Sequence, residues 1–334
     1  MNAVLEKILQ AVTPAELFGS DPSQVKAGVA YRHLARKSHP DMFTIPSEKL
    51  RAEEAFIHLT QLWDIFTNPW KPAKSNILKT RNHEYTLGLK FSSGDLFDRY
   101  KATYDAGHGN AELLVTKSAS DGDLAQNNAT TLQLLAKDLP EDRSRYYPKV
   151  IESFRWKQST GNLVVTAVER IDGFFTLAQV KERYPSGVDP KDFAWIFRRM
   201  LYSLSSLIEI DIVHGAVTPE SVLIHPEMHG LLLRDWQYSI YSGGRLEAIP
   251  SEYQSFYPRS VFGHTPMDSS LDILLAAQTA ETILSENSPT QFKAFLNGCK
   301  VRNPPNAGEL LNEFDELLTR IYGKRSFHVF TMNP

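Results

Sequence analysis

Two parts of the chain hold residue types that could do chemistry. The first is His39-Pro40-Asp41, which puts an imidazole, a proline-locked φ and a carboxylate on consecutive positions. A residue before proline is pushed out of the helical region, so any helix running into His39 must stop there. Taken bare, the triplet is a helix stop and a turn. The second is His225-Pro226-Glu227-Met228-His229. His225 and His229 stand four apart, a metal-ligand spacing that works only on a helix. Pro226 and Gly230 lie between two apolar runs and predict a hairpin turn instead. Cys299 is the only cysteine, which excludes an internal disulfide and a four-cysteine zinc site. It is expected to be a small core residue.

The first triplet needs two helices to hold it. Asp21 is expected to cap and Pro22 to start a helix over 24–38. That helix carries Lys26, Arg32, His33, Arg36 and Lys37 on a basic side. A loop over 41–46 leads to a second helix from Ser47-Glu48. There Ala52, Ala55, Phe56, Leu59, Leu62, Trp63 and Phe66 recur in steps of three and four. Facing stripes make an antiparallel hairpin with the triplet at its tip. A helix over 3–18, broken near Pro14, completes a small bundle. The prolines and polar residues of 68–76 predict a linker. The organisation expected is 1–70 as a helical domain, 71–82 as linker and 83–334 as a larger domain.

The larger domain changes character along its length. A hairpin is expected over 85–104, a strand over 112–117, a helix over 124–135 and a strand over 163–168. The remainder is expected to be mostly helical. It contains an amphipathic helix over 193–208, one buried on all sides over 271–284 and a last apolar stripe over 307–321. The fold class is α+β, a helical bundle followed by a strand-rich and then a helix-rich portion.

Of the 334 residues 42% are apolar, which excludes a wholly disordered chain. Lys and Arg number 36 against 39 Asp and Glu, a net charge of −3, so no nucleic-acid partner is expected. There is no long apolar run and no basic leader, so no membrane span is expected and a cytoplasmic location is.

Residues 13–68 resemble a J-domain. The likeness is carried by Ala30-Tyr31-Arg32-His33-Leu34-Ala35-Arg36-Lys37-Ser38-His39-Pro40-Asp41 and by Ala52-Glu53-Glu54-Ala55-Phe56. The resemblance implies docking on a DnaK-type chaperone and stimulation of its ATP hydrolysis. Tyr31, Arg32, Arg36, His39, Pro40 and Asp41 would form the contact, with the basic helix steering toward an acidic partner surface. Gly28 and Val29 depart from the lysines that family members often have there.

Residues 84–322 resemble a protein kinase, weakly at each place but in order throughout. Gly94 falls in the glycine loop, Lys117 on the phosphate-binding strand and Glu169 at the hinge. The run 214–224 stands where the catalytic loop would be, Asp235 where the metal-binding aspartate would be, and Tyr257-Pro258-Arg259 at the end of the activation segment. Asp272 stands where the family keeps a carboxylate bracing the catalytic loop. The resemblance implies that ATP or ADP with magnesium would be held by Gly94, Lys117, Glu169, Ser221 and Asp235, with Asp235 on the metal. The departures bear on function. Ala216 replaces the acidic base, and a methyl group cannot accept a proton. Ser221 replaces asparagine as the second metal ligand. Asn127 or Asn128 falls where a helix carboxylate would orient the lysine, and Phe97 replaces the last glycine. The expectation is a non-catalytic pseudokinase that serves an unknown client or assembly, joined to a J-domain co-chaperone. The alternatives are an atypical phosphotransferase or nucleotidyl transferase using Lys117 and Asp235, or a pure scaffold.

Overall fold

The computed structural model describes residues 3–11, 13–19, 24–67, 77–158, 161–301, 303–324 and 327–332. The expected cap at Asp21-Pro22 and the linker residues 68–76 lie outside these. By contacts the chain divides into two compact units, one of residues 1–93 and 98–113 and the other of 94–97 and 114–334.

The first unit opens with α1 (Ala3–Gln10), α2 (Pro14–Phe18), α3 (Gln24–Ser38) and α4 (Pro46–Thr67). Thr13 caps α2: its backbone N–H donates to Glu16 Oε1 at 3.0 Å, and Pro14 takes the first helical position. The expected stripe on α4 is the core of the bundle. Ala52, Ala55, Leu59 and Leu62 are fully buried against Leu5, Ile8 and Leu34, with Trp63 and Phe66 packed at the edge. Between α3 and α4 lies a single tight turn over Pro40–Met42. Three strands follow, β1 (Ile77–Lys79), β2 (Glu84–Ser93) and β3 (Phe97–Tyr104). β1 and β2 pair antiparallel, as do β2 and β3, which gives the expected hairpin. Residues 77–79 were expected to be linker; Leu78 is buried opposite Tyr85 and makes them a sheet strand instead. Leu89 of β2 packs against the helical core, and Lys101 Nζ lies 3.4 Å from the Leu9 carbonyl. These contacts explain why the compact unit extends past the expected boundary at 70.

β4 (Gly109–Thr116), α5 (Gly122–Asp138), α6 (Glu141–Ser144), β5 (Val150–Gln158) and β6 (Gly161–Glu169) follow. The large sheet has six strands in the order β1-β2-β3-β4-β6-β5. β5 falls between the helix expected over 124–135 and the strand expected over 163–168, where no element was expected. It pairs antiparallel with β6 from Val150 to Gln158. Then come β7 (Phe175–Thr176), α7 (Leu177–Arg183) and α8 (Pro190–Ile208). Thr176 caps α7 by accepting the Gln179 N–H at 3.1 Å. Short strands β8 (Ile212–Val213), β9 (Val222–His225), β10 (Gly230–Leu233) and β11 (Ile240–Tyr241) build a three-stranded sheet β10-β9-β7 and a pair β11-β8. The β9–β10 connection is the expected hairpin turn, not a helix.

The chain ends in α9 (Arg259–Phe262), α10 (Ser269–Glu281), α11 (Thr290–Cys299) and α12 (Ala307–Tyr322). α8 is the centre of the helical part: Phe193, Ile196, Phe197, Met200 and Leu201 are all buried. Phe197 meets Phe314 of α12 edge to face with centroids 5.2 Å apart, a geometry that adds to area burial. Ile208, expected on the buried stripe, is exposed at the end of α8. Cys299 is buried, as expected. No described helix is long and apolar enough to cross a membrane.

Candidate functional site

The corner between α3 and α4 stands out from its unit. His39 keeps 48% of its side chain exposed and Asp41 80%. The Asp41 N–H donates to His39 Nδ1 at 3.3 Å, and the Asp41 carboxylate lies 3.5 Å from the same nitrogen. In the neutral ring Nδ1 is therefore the acceptor and Nε2 carries the proton. Phe56 of α4 packs edge-on against the imidazole at 5.3 Å and fixes the ring. Backbone bonds from Met42 to His39 at 3.0 Å and from Phe43 to Pro40 at 3.1 Å close the turn. Arg32 and Arg36 are exposed on α3, four residues apart and so on one face. Tyr31 on the same helix is half-buried. Its ring stacks on Trp63 at 4.6 Å and 15°, so one face is committed to the bundle. Gly28 lies close to its own neighbours: a Cβ there would stand 3.5 Å from the Arg32 guanidinium. Val29 is 56% exposed.

The second constellation lies wholly within the second unit and is built around the loop 214–221. Asp272, near the start of α10 and 3% exposed, accepts the backbone N–H of His214 at 2.7 Å and of Gly215 at 2.8 Å. Burial pushes its carboxyl up to about 7, against the pull of those two N–H groups. Tyr257 donates its hydroxyl to the Gly215 carbonyl at 2.8 Å, and Thr279 donates to Val217 at 2.8 Å. Gly215 has φ +76°, and a Cβ there would meet the Tyr238 carbonyl at 2.6 Å, so only glycine fits. The Ala216 N–H donates to His214 Nδ1 at 3.2 Å, which leaves Nε2–H to donate to the Arg234 carbonyl at 2.9 Å. Burial lowers the His214 pKa to about 4, so the ring stays neutral. Asp272 therefore braces this loop as expected, and His214 ties it to the segment that carries Asp235.

Asp235 sits at φ 73° and ψ 46°, left-handed backbone that costs a non-glycine residue on the order of 1 kcal/mol. Both flanks are fixed. Before it, the Arg234 N–H donates to the Ser221 carbonyl at 2.9 Å. After it, the Trp236 N–H donates to Asn128 Oδ1 at 3.1 Å. Asn127 Nδ2 donates to the carbonyls of Gln237 at 3.1 Å and Ser239 at 2.8 Å. Ser239 donates to the Trp236 carbonyl at 2.6 Å, so Thr131 must be the donor in its 2.9 Å bond to Ser239. The two asparagines stand where a carboxylate was expected, and they bind the 236–239 segment rather than a lysine.

The other expected site residues do not converge in the same way. Ser221 is fully buried: its hydroxyl donates to the Ala216 carbonyl at 2.6 Å and accepts the Thr218 N–H at 2.8 Å. Its oxygen already carries a donor and an acceptor partner, so the expected role on a metal finds no support in this geometry. Lys117 lies one residue past the end of β4, exposed, with its backbone N–H on the Leu96 carbonyl at 3.0 Å. Glu169 ends β6, is exposed, and donates its N–H to Lys149 at 2.8 Å. Gly94 has no left-handed φ, and a Cβ there would meet only the Phe97 carbonyl at 3.8 Å. Ala216 is fully buried. His225 and His229 lie at the two ends of the β9–β10 turn, and His229 stacks between Trp195 and Phe327 with centroids 4.2 Å away on either side. One histidine cluster was missed by sequence reasoning: Asp189, Asp192 and His328, whose ligand atoms lie within 4.8 Å of one another. Its buried member is already bonded, since Asp192 Oδ1 takes Trp195 Nε1 at 3.2 Å and faces His328 Nδ1 at 3.0 Å.

A solved structure titled "Crystal structure of BubR1 kinase domain" matches the chain with a TM-score of 0.55. The match covers 74% of this chain and 83% of that one, at 15% sequence identity. The fold is kinase-like. No family model matches the chain, and no curated protein does. In the kinase-like fold the loop 214–221, the strained Asp235 and the brace from Asp272 hold together by the bonds just described.

Proposed function

We propose that the chain is a co-chaperone in which the α3–α4 hairpin acts as a J-domain. In this reading the corner docks on a DnaK-type chaperone and stimulates its ATP hydrolysis. The kinase-like domain serves as a non-catalytic platform for a client or assembly. The observation that carries the reading is the exposure of His39 and Asp41 at the tip of a hairpin whose facing apolar stripe is packed. Arg32 and Arg36 leave α3 on one face and add a positive field that steers an acidic surface toward the corner.

The kinase-like domain is assigned no phosphotransfer. A buried methyl at Ala216 stands where an acceptor hydroxyl would need a base. The two functions separate by experiment. Mixing a DnaK-type chaperone with the full chain should raise its ATPase rate, and His39→Gln should abolish the increase. Equal rates with and without the wild-type chain would make the hairpin a scaffold. Transfer of label from radioactive ATP to protein, lost in Asp235→Ala, would make the chain an enzyme.

A further inference from the structure

The kinase fold generally takes ATP with magnesium, and the residues of this chain do not fit that group. We infer that the guanidinium of Arg234 takes the place of the metal beside Asp235, so the kinase-like domain holds no nucleotide–magnesium complex there. This rests on the reading of the kinase-like domain as a non-catalytic platform.

Arg234 immediately precedes Asp235, and only 13% of its side chain is exposed. Its Nε donates to the Glu220 carbonyl at 3.0 Å and lies 3.7 Å from Asp235 Oδ2. Its terminal nitrogen reaches Glu220 Oε2 at 3.4 Å. One fixed cation therefore sits between the carboxylates of Glu220 and Asp235. A divalent ion could enter only by displacing a guanidinium that is almost buried, or by standing beside it at like charge. The second ligand is also engaged, because the Ser221 hydroxyl is bonded inside its own loop.

A second contact lies on the loop that would cover a phosphate. Asp95, at the tip between β2 and β3, accepts both groups of Ser251 at 2.7 Å: the backbone N–H on one oxygen and the hydroxyl on the other. The loop that would cover a phosphate is thus tied down onto the segment after Asp235. On α5, Asn127 and Asn128 bind the 236–239 backbone and offer no carboxylate to orient Lys117.

The test is thermal unfolding of the full chain with magnesium alone and with ATP plus magnesium. A ligand at about a hundred times its Kd shifts Tm by roughly 5 °C or more in a domain of this size. The wild type is expected to move by less than about 1 °C in both conditions. In Arg234→Gln the two carboxylates lose the Arg234 guanidinium, and magnesium alone should raise Tm saturably by a few degrees. Adding Asp235→Asn to that variant should remove the gain. A saturable shift of the wild type, or an Arg234→Gln protein indifferent to magnesium, would overturn the inference. Should Arg234→Gln not fold, manganese titration of the wild type by electron paramagnetic resonance decides alone. No bound manganese is expected, and a bound ion that Asp235→Asn abolishes would refute the inference. Metal binding would leave the His39 measurement untouched, so the two readings fail separately.

Discussion

His214 and Asp272 are both fully enclosed and their ionisation is displaced in opposite senses. The His214 ring is held at about 4, below its ordinary 6.5, so neutral His214 contributes stability that is present above 6.5 and lost as pH falls toward 4. The Asp272 carboxyl is held at about 7, above its ordinary 3.8, so it contributes stability that is present below 3.8 and lost as pH rises toward 7. Between pH 4 and 6.5 the two slopes oppose each other, and the wild-type chain should show a shallow dependence there. Replacing His214 by Gln leaves Asp272 unopposed, and stability should then fall with rising pH across that window. Asp272→Asn should do the reverse. Each slope has a ceiling of about 1.4 kcal/mol per pH unit, and denaturant titrations at four or five pH values would resolve them. A similar steep slope in wild type and both variants would refute the assignment.

At the scale of elements, the proposal that the kinase-like domain transfers no phosphate makes a prediction for Ala216. Ala216→Asp would put a carboxylate at a fully buried position while Ser221 and Asp235 remain bonded to their neighbours. It should lower Tm and yield no label transfer from ATP; measurable transfer would contradict this account of the loop. Asn128→Ala removes the acceptor of the buried Trp236 N–H, which should cost about 1–3 kcal/mol in denaturant unfolding. Much of this framework was legible in the sequence. The stripe on α4 reads directly because its apolar positions recur at helical spacing, and His39-Pro40 forces the stop that makes the corner. The β9–β10 turn reads from Pro226 and Gly230. β5 did not read, because most of its residues are half-buried on both faces and leave no two-residue alternation. The engagement of Ser221 and the pairing of Arg234 were invisible for another reason. Their partners, Ala216 and Glu220, become neighbours only once the loop closes, and residue type alone does not reveal a bonded hydroxyl.

At the scale of the whole molecule, the described residues form a hydrophobic cluster around Leu59 and another around Phe197, each confined to its own unit. Unfolding should therefore proceed in two resolvable steps. Leu59→Ala should destabilise one step by about 2–5 kcal/mol and Phe197→Ala the other by about 3–5 kcal/mol. A single transition shifted equally by both variants would show one cooperative body instead. The larger unit is kinase-like in fold, with Ala216 fully buried and Asp235 3.7 Å from the Arg234 guanidinium. The smaller unit offers the chain's outward chemistry at His39-Pro40-Asp41. The most direct measurement is the steady-state ATPase rate of a DnaK-type chaperone with the full chain, in wild-type and His39→Gln forms matched for Tm. The account predicts a several-fold stimulation by the wild type and none by the variant; stimulation that survives His39→Gln, or none from the wild type, would contradict it.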